Sequence, residues 1–348
     1  MKRAAKLAVE VTPSKFVKKS TNSKVTMTPA TKEFEPLLSL GQLYQGTVLR
    51  RPSEHNKSPY VADVKLDHGG AEVIAHAPML DLGGLLKPGT VVRMTKSKPG
   101  GKTSHAVQLV RVEEVECGED GHEWVGAHPS LGNSVARALL DRGFVSEAAL
   151  GYSATEETPL SIASEVTMAE TAEGETVRAD FVVDNVVVEV KSCVCADYQK
   201  ASAPQVTKKD RYVTVISEDE PEDYKRAGLF PIGKRGQDFE GQKVVSARCL
   251  KHLRHLAKVA GGQVEHKLDK KLTEQDEHER KTFKAAVLLL VVNRGDCLTF
   301  RPCSEACPVF AHEFKAAQEA GVKVVAAGVR WEGGGSCFFR GLLPINTP

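Results

Sequence analysis

The stretch from Arg178 to Lys191, Arg-Ala-Asp-Phe-Val-Val-Asp-Asn-Val-Val-Val-Glu-Val-Lys, gathers residue types that can do chemistry. Asp184 and Asn185 suit a two-residue hairpin turn, because both tolerate left-handed backbone. With that turn, Val183 opposes Val186, Val182 opposes Val187, Asp180 opposes Glu189 and Arg178 opposes Lys191. Opposed side chains share a face of a hairpin. One face is then apolar: Ala179, Phe181, Val183, Val186, Val188 and Val190. The other carries Asp180, Glu189, Arg178 and Lys191 beyond Val182 and Val187. Two carboxylates directly across a ladder repel, so the pattern calls for a compensating charge. A divalent cation is one answer, since hard carboxylate oxygens suit Mg²⁺ or Mn²⁺. Such an ion polarises a phosphate and lowers the pKa of bound water. Lys191 can stabilise charge developing on that phosphate. Diagonal salt bridges, Arg178 to Glu189 and Lys191 to Asp180, satisfy the same pattern on an ordinary solvent face. The hairpin alone leaves both readings open.

The elements that must position these residues fall into two textures. From Leu37 to about Val112 the chain reads as short strands: Gly46–Leu49, Val61–Leu66, Glu72–His76, Val91–Thr95 and Ala106–Val112. Turn signals such as His68-Gly69-Gly70, Lys87-Pro88-Gly89 and Pro99-Gly100-Gly101 separate them. Five strands in so short a stretch suit a small OB-like barrel. From about Glu113 the texture turns to mixed α and β. Helices are expected over Asn133–Arg142, Ser246–Ala260 and Pro308–Ala320, and strands over Val287–Val292 and Val322–Ala327. That alternation predicts a central sheet with helices. Ala169–Thr176, Ser192–Asp223 and the charge run Glu265–Lys281 read as surface insertions. On helix Ser246–Ala260, Leu250, Leu253, Leu256 and Ala257 form the buried side. Arg248, Lys251, His252, His255 and Lys258 fall largely opposite, a basic face able to track a phosphate backbone.

Bulk features narrow the function classes. The chain has 348 residues and a net charge of +2. Residues 1–33 hold eight Lys or Arg against two Glu, leaving 39 basic and 43 acidic residues in the rest. A basic, unstructured tail of residues 1–34 is therefore expected on a slightly acidic body, and such a tail can grip phosphates. No run approaches the roughly 20 apolar residues of a membrane helix. An intracellular location is expected, whether cytoplasm, nucleus or organelle. The eight cysteines include no CxxC pair and no zinc-finger spacing. Gly101-Lys-Thr103 lacks the upstream glycine of a phosphate loop, since position 96 is Lys96. No Gly-x-Ser-x-Gly elbow occurs.

The order Asp…Glu-x-Lys resembles the PD-(D/E)XK nuclease superfamily. Longer blocks resemble the sugar fermentation stimulation protein family, SfsA. They include Tyr60-Val-Ala-Asp-Val-Lys-Leu, Ala75-His-Ala-Pro, Gly84-Leu-Leu-Lys-Pro-Gly89, Trp124-Val-Gly, Arg178-Ala-Asp-Phe and Val188-Glu-Val-Lys. Lys251-His-Leu-Arg, Val291-Val-Asn-Arg, Pro308-Val-Phe-Ala and Gly321-Val-Lys-Val continue the series in family order, over roughly residues 35–345. The resemblance implies an α+β chain: a tail at 1–34, an OB-like barrel at 35–112, and an α/β PD-(D/E)XK (restriction-endonuclease-like) domain with a central mixed sheet at 113–348. It implies Asp180, Glu189 and Lys191 as catalytic residues and Asp180, Glu189 and Glu165 as ligands of Mg²⁺ or Mn²⁺. It makes DNA the expected partner, with RNA as the alternative, and Arg178, Arg248, Lys251, His252 and His255 the contacts. Two blocks depart from the family. Arg248-Cys-Leu250 stands where Arg-Gly-Gln is usual, and Ala77-Pro-Met-Leu-Asp81 where Cys-Pro-Asn-Thr-Gly is usual. The first reading is thus a DNA-binding protein with a metal-dependent phosphodiester-cleaving site. A non-catalytic DNA-binding regulator that retains the nuclease fold is the second, and a protein-interaction scaffold the third.

Overall fold

Gly, Pro and Val set the first third of the chain. In the computed structural model the described residues are 35–79, 82–113, 121–153, 159–170, 176–203, 213–220, 222–268, 280–283 and 285–347. The expected basic tail lies outside them, as do residues 269–279 of the charge run. After the short β1 (Leu38–Ser39) come β2 (Tyr44–Arg50), β3 (Val61–Leu66), β4 (Glu72–His76), β5 (Val91–Lys96) and β6 (His105–Glu113). Strand β3 pairs antiparallel with β2 and β4. Strand β2 also pairs with β5, and β5 with β6. Strand β6 returns to β4 in parallel, Ala75 against His105. Every strand of this ring has two neighbours, so no edge is left open. Val48, Val64, Val92, Met94, Val107 and Val110 fill its interior. Gly46 is needed where β2 crosses β3, because a Cβ there would lie 2.6 Å from the Lys65 carbonyl oxygen.

Strand β6 pairs onward with β7 (His122–Gly126), which carries the hydrogen bonding into the second texture. Helices α1 (Ser130–Asp141) and α2 (Ser146–Leu150) follow, then β8 (Ile162–Glu170), β9 (Thr176–Val183) and β10 (Val186–Cys193). Strand β11 (Cys195–Ala196), β12 (Ala227–Phe230) and the hairpin β13 (Gln237–Phe239) and β14 (Gln242–Val244) lead to α3 (Ala247–Ala260). The chain continues through β15 (Glu265–Leu268), β16 (Arg280–Thr282), β17 (Ala285–Val292), β18 (Thr299–Pro302), α4 (Pro308–Glu319), β19 (Lys323–Trp331) and β20 (Ser336–Leu342). The main sheet runs β16-β15-β8-β9-β10-β17-β19-β7 and on into the ring. Strands β10, β17 and β19 are mutually parallel and the outer pairings antiparallel. The result is a mixed α and β protein, mostly sheet with few helices.

Strand β17 is apolar throughout because it is covered on both faces. On one face, Val183, Val186, Val188 and Val190 meet Leu131, Val135 and Leu139 of α1 and Leu150 of α2. On the other, Val182, Val187, Leu288 and Leu290 meet Leu250, Leu253 and Leu256 of α3 and Phe310 and Phe314 of α4. Helix α3 starts at Ser246, whose side chain accepts from the Cys249 N–H, a standard N-cap. No helix among the described residues is long and apolar enough to cross a membrane.

Two expectations need correction. The charge run is not a wholly solvated segment: Glu265–Leu268 is a strand, and His266 in it is buried. Its partner, β8, lies about a hundred residues earlier, so local pattern could not signal it. Nor does the hairpin keep strict alternation. Ala179 packs with Val182, on the face opposite Phe181. The pairing of β8 with β9 passes from Ser164↔Phe181 to Val166↔Ala179, and between them Glu165 adopts φ 55°, which shifts the facing of both strands.

Candidate functional site

The hairpin turns where expected, with Val186↔Val183 and Val187↔Val182, but the ladder stops at Val188↔Phe181. Beyond that point the Asp180 side chain takes over a backbone role. Its Oδ2 accepts from the Val190 N–H at 2.8 Å, and its Oδ1 from Asn133 Nδ2 at 2.9 Å. Asn133 reaches it because α1 packs tightly on β10. A Cβ at Gly132 would come within 2.9 Å of Ser192 Cβ, so glycine is what lets the helix approach.

Glu189 is buried, 4% exposed, and its Oε1 accepts from both Lys191 Nζ and His252 Nδ1. Lys191 Nζ also donates to the Val190 carbonyl at 3.3 Å. Arg248 Nε donates to His252 Nε2 at 3.3 Å, which leaves the His252 proton on Nδ1, facing Glu189. The two carboxylates differ electrostatically. Burial and the neighbouring Glu189 charge push the Asp180 carboxyl up. Burial would raise Glu189 too, but His252 and Lys191 outweigh it and hold that carboxyl down. Burial disfavours the Lys191 ammonium, yet Glu189 more than offsets this and holds its pKa high. The two carboxyls are therefore pushed in opposite directions, Asp180 up and Glu189 down, with Lys191 held as the cation beside them.

The structure thus brings Asp180, Glu189, Lys191 and His252 together. Arg178 does not reach Glu189 by the expected diagonal; its Nε pairs with Glu165 Oε2 at 2.9 Å, and both side chains are largely exposed. Glu165 sits at the strand irregularity that redirects it. Arg248 and Lys251 are exposed on α3, as expected. His255 is not: it is buried, 5% exposed, against His266 of β15. The sheet extends under α3 by the extra strand β15, which widens the helix's buried side. Asn133, Glu170 and His266 escaped sequence reasoning. Asn133 opens a helix like any polar first-turn residue, and nothing local marks its distant partner. Leu250, where the family usually has Gln, is fully buried in the core beside Leu253 and Leu256.

A family model described as the sugar fermentation stimulation protein RE domain matches residues 269–335. Similarity to curated relatives extends much further. The chain is 25% identical over 301 residues to a sugar fermentation stimulation protein homolog of Cyanothece, covering 84% of this chain and 89% of that protein. It is 26% identical over 309 residues to the homolog of Thioalkalivibrio sulfidiphilus, covering 87% and 93%. The fold agrees with a solved structure of SfsA from Pyrococcus furiosus in complex with Ca²⁺, at a TM-score of 0.56 and 18% identity, over 89% of this chain and 99% of that one. Along most of its length the chain is thus similar to sugar fermentation stimulation proteins. The Arg178-Ala-Asp-Phe and Val188-Glu-Val-Lys blocks lie on the two strands that meet at the carboxylate centre.

Proposed function

We propose that this chain is a member of the sugar fermentation stimulation family that binds DNA and carries a divalent-metal-dependent phosphodiester-cleaving site of the PD-(D/E)XK kind. One observation carries the reading: two carboxylates, half-buried Asp180 and buried Glu189, interact at the point where a hairpin ladder opens, with Lys191 as the cation beside them. The donor set consists of hard oxygens, which fits Mg²⁺ or Mn²⁺. Asp180 and Glu189 would hold the ion, and Glu165 would join them on releasing Arg178. When bound, the metal supplies Lewis-acid activation of phosphate and water. The chain's own residues do the rest. Asn133 and the Val190 N–H fix the Asp180 carboxylate, His252 orients Glu189, and Lys191 stabilises negative charge arising on phosphate oxygens. Ca²⁺ in the Pyrococcus furiosus relative supports a hard-cation role for the family fold.

In this reading residues 35–112 form an OB-like domain, supported by the closed β2-β3-β4-β6-β5 ring, and 113–348 a nuclease-like domain. Exposed Arg178, Arg248 and Lys251 contact the DNA backbone, and His252 and His255 support α3 from beneath rather than touch the strand. RNA is the alternative substrate. An intracellular location follows from the nucleic-acid role and from the bacterial relatives. The test is cleavage of DNA and RNA by the full chain with Mn²⁺ or Mg²⁺. Activity that needs the metal and disappears in both Asp180→Ala and Glu189→Gln is expected. Activity equal in Asp180→Ala and wild type would falsify the catalytic part. Buried Leu250 favours one other reading, a DNA-binding regulator without catalysis, which predicts binding that survives Glu189→Gln and no cleavage at all.

A further inference from the structure

A second cluster of metal-type donors lies on the far side of α3 from solvent. His266 of β15 and Glu170 of β8 are direct cross-strand partners, so their side chains share the sheet face that α3 covers. His255 of α3 meets them there. Glu170, His255 and His266 are 3%, 5% and 0% exposed, and their ligand atoms all lie within 4.8 Å of one another. His255 Nε2 stands 2.9 Å from His266 Nε2 and 3.9 Å from Glu170 Oε1. Lys258 Nζ approaches the other oxygen, Glu170 Oε2, at 3.4 Å. Glu170 Oε1 and His266 Nδ1 have no hydrogen-bond partner. A proton shared between the two facing imidazoles would leave that buried carboxylate oxygen unsatisfied, which is costly.

We infer that Glu170, His255 and His266 form a buried transition-metal site, suited above all to Zn²⁺, that staples α3 to the sheet edge. Zinc holds imidazole and carboxylate donors at ~2.0–2.2 Å, which sets tetrahedral ligand atoms about 3.3 Å apart. The observed 2.9 and 3.9 Å bracket that separation. Two imidazoles favour a borderline ion over Mg²⁺ or Ca²⁺, which prefer all-oxygen sets. Burial, then the adjacent His266, pushes His255 down to about 4, and burial also lowers His266. The site is separate from the Asp180–Glu189 centre, although His252, one turn earlier on α3, bridges to Glu189. Its role is to hold that turn in place.

The full chain, stripped by chelator, should be titrated with Zn²⁺ by calorimetry and with Co²⁺ by absorption. Wild type is expected to take up a single tight Zn²⁺ with a rise in melting temperature. The Co²⁺ complex should show nitrogen and oxygen ligation without a thiolate charge-transfer band. Glu170→Gln and His266→Gln should each weaken binding by more than the roughly 10–100-fold that loss of an outer-shell partner costs. Asp141→Asn, an exposed change on α1, should bind as wild type does. Absence of tight binding overturns the site, as does wild-type affinity in both ligand variants or loss of binding in Asp141→Asn. A thiolate band does so too, and it is read on wild type, so it decides even if a variant fails to fold.

Discussion

At the scale of single residues, Lys191 and Asp296 each hold buried charge in balance. Lys191 is the cation between two carboxylates that would otherwise face each other uncompensated. Removing one partner of a buried ion pair typically costs about 3–5 kcal/mol. Lys191→Met should therefore lower the unfolding free energy by that order in urea titrations, and Mn²⁺ should restore part of the loss. A loss that Mn²⁺ leaves untouched would count against a cation site. Asp296 accepts from Arg294 and Arg226, all three buried. Burial opposes its charge, but Arg294 and Arg226 hold its carboxyl down to about 2, against an ordinary 3.8. The folded pKa is depressed, so this stabilisation is present above 3.8 and lost as pH falls through about 2. Asp296→Asn should flatten the fall in stability over that acid window and destabilise the protein at neutral pH by about 3–5 kcal/mol. Unfolding curves across pH would show an unchanged slope if the pair contributes nothing.

Helix α3 is the element on which both clusters depend. Its outward side carries Arg248 and Lys251, its inner side Leu250, Leu253 and Leu256, and the turn between supplies His252 and His255. Leu250 touches only core, so the residue usual in the family cannot be restored freely here. Leu250→Gln buries an amide among Leu and Val side chains. It should destabilise the fold by about 1–3 kcal/mol, the usual cost of an unpaired buried polar group in proteins. A denaturant midpoint equal to wild type would mean that the amide finds a partner.

For the molecule as a whole, the basic residues predicted to hold DNA are few and exposed. Each phosphate contact contributes about 0.9 to the slope of log affinity against log salt on duplex DNA. The Arg248→Ala and Lys251→Ala double variant should lose about 0.9 of slope for each contact removed. Filter binding over a salt series measures this. A slope identical to that of wild type would take α3 out of the interface and leave the chain's other basic residues to carry it.

Much of the architecture was legible from local pattern. The strands Val61–Leu66 and Glu72–His76 and the helix beginning at Pro308 stand where alternation, glycine turns and a first-turn proline place them. The turn at Asp184 and the pairing of Val182 with Val187 were equally readable, because a hairpin is a local object. Asp180, Glu189 and Lys191 could be singled out for the same reason. What joins residues far apart in the chain was not legible. The β4–β6 contact closes the ring, and Asn133 and His252 come from two helices on opposite sides of the sheet. Only β15, packed against β8, buries His255 and His266 beside Glu170. Composition and spacing record which side chains a strand or helix presents. Which of them meet is set by sheet order and helix packing, and those depend on contacts a hundred residues apart.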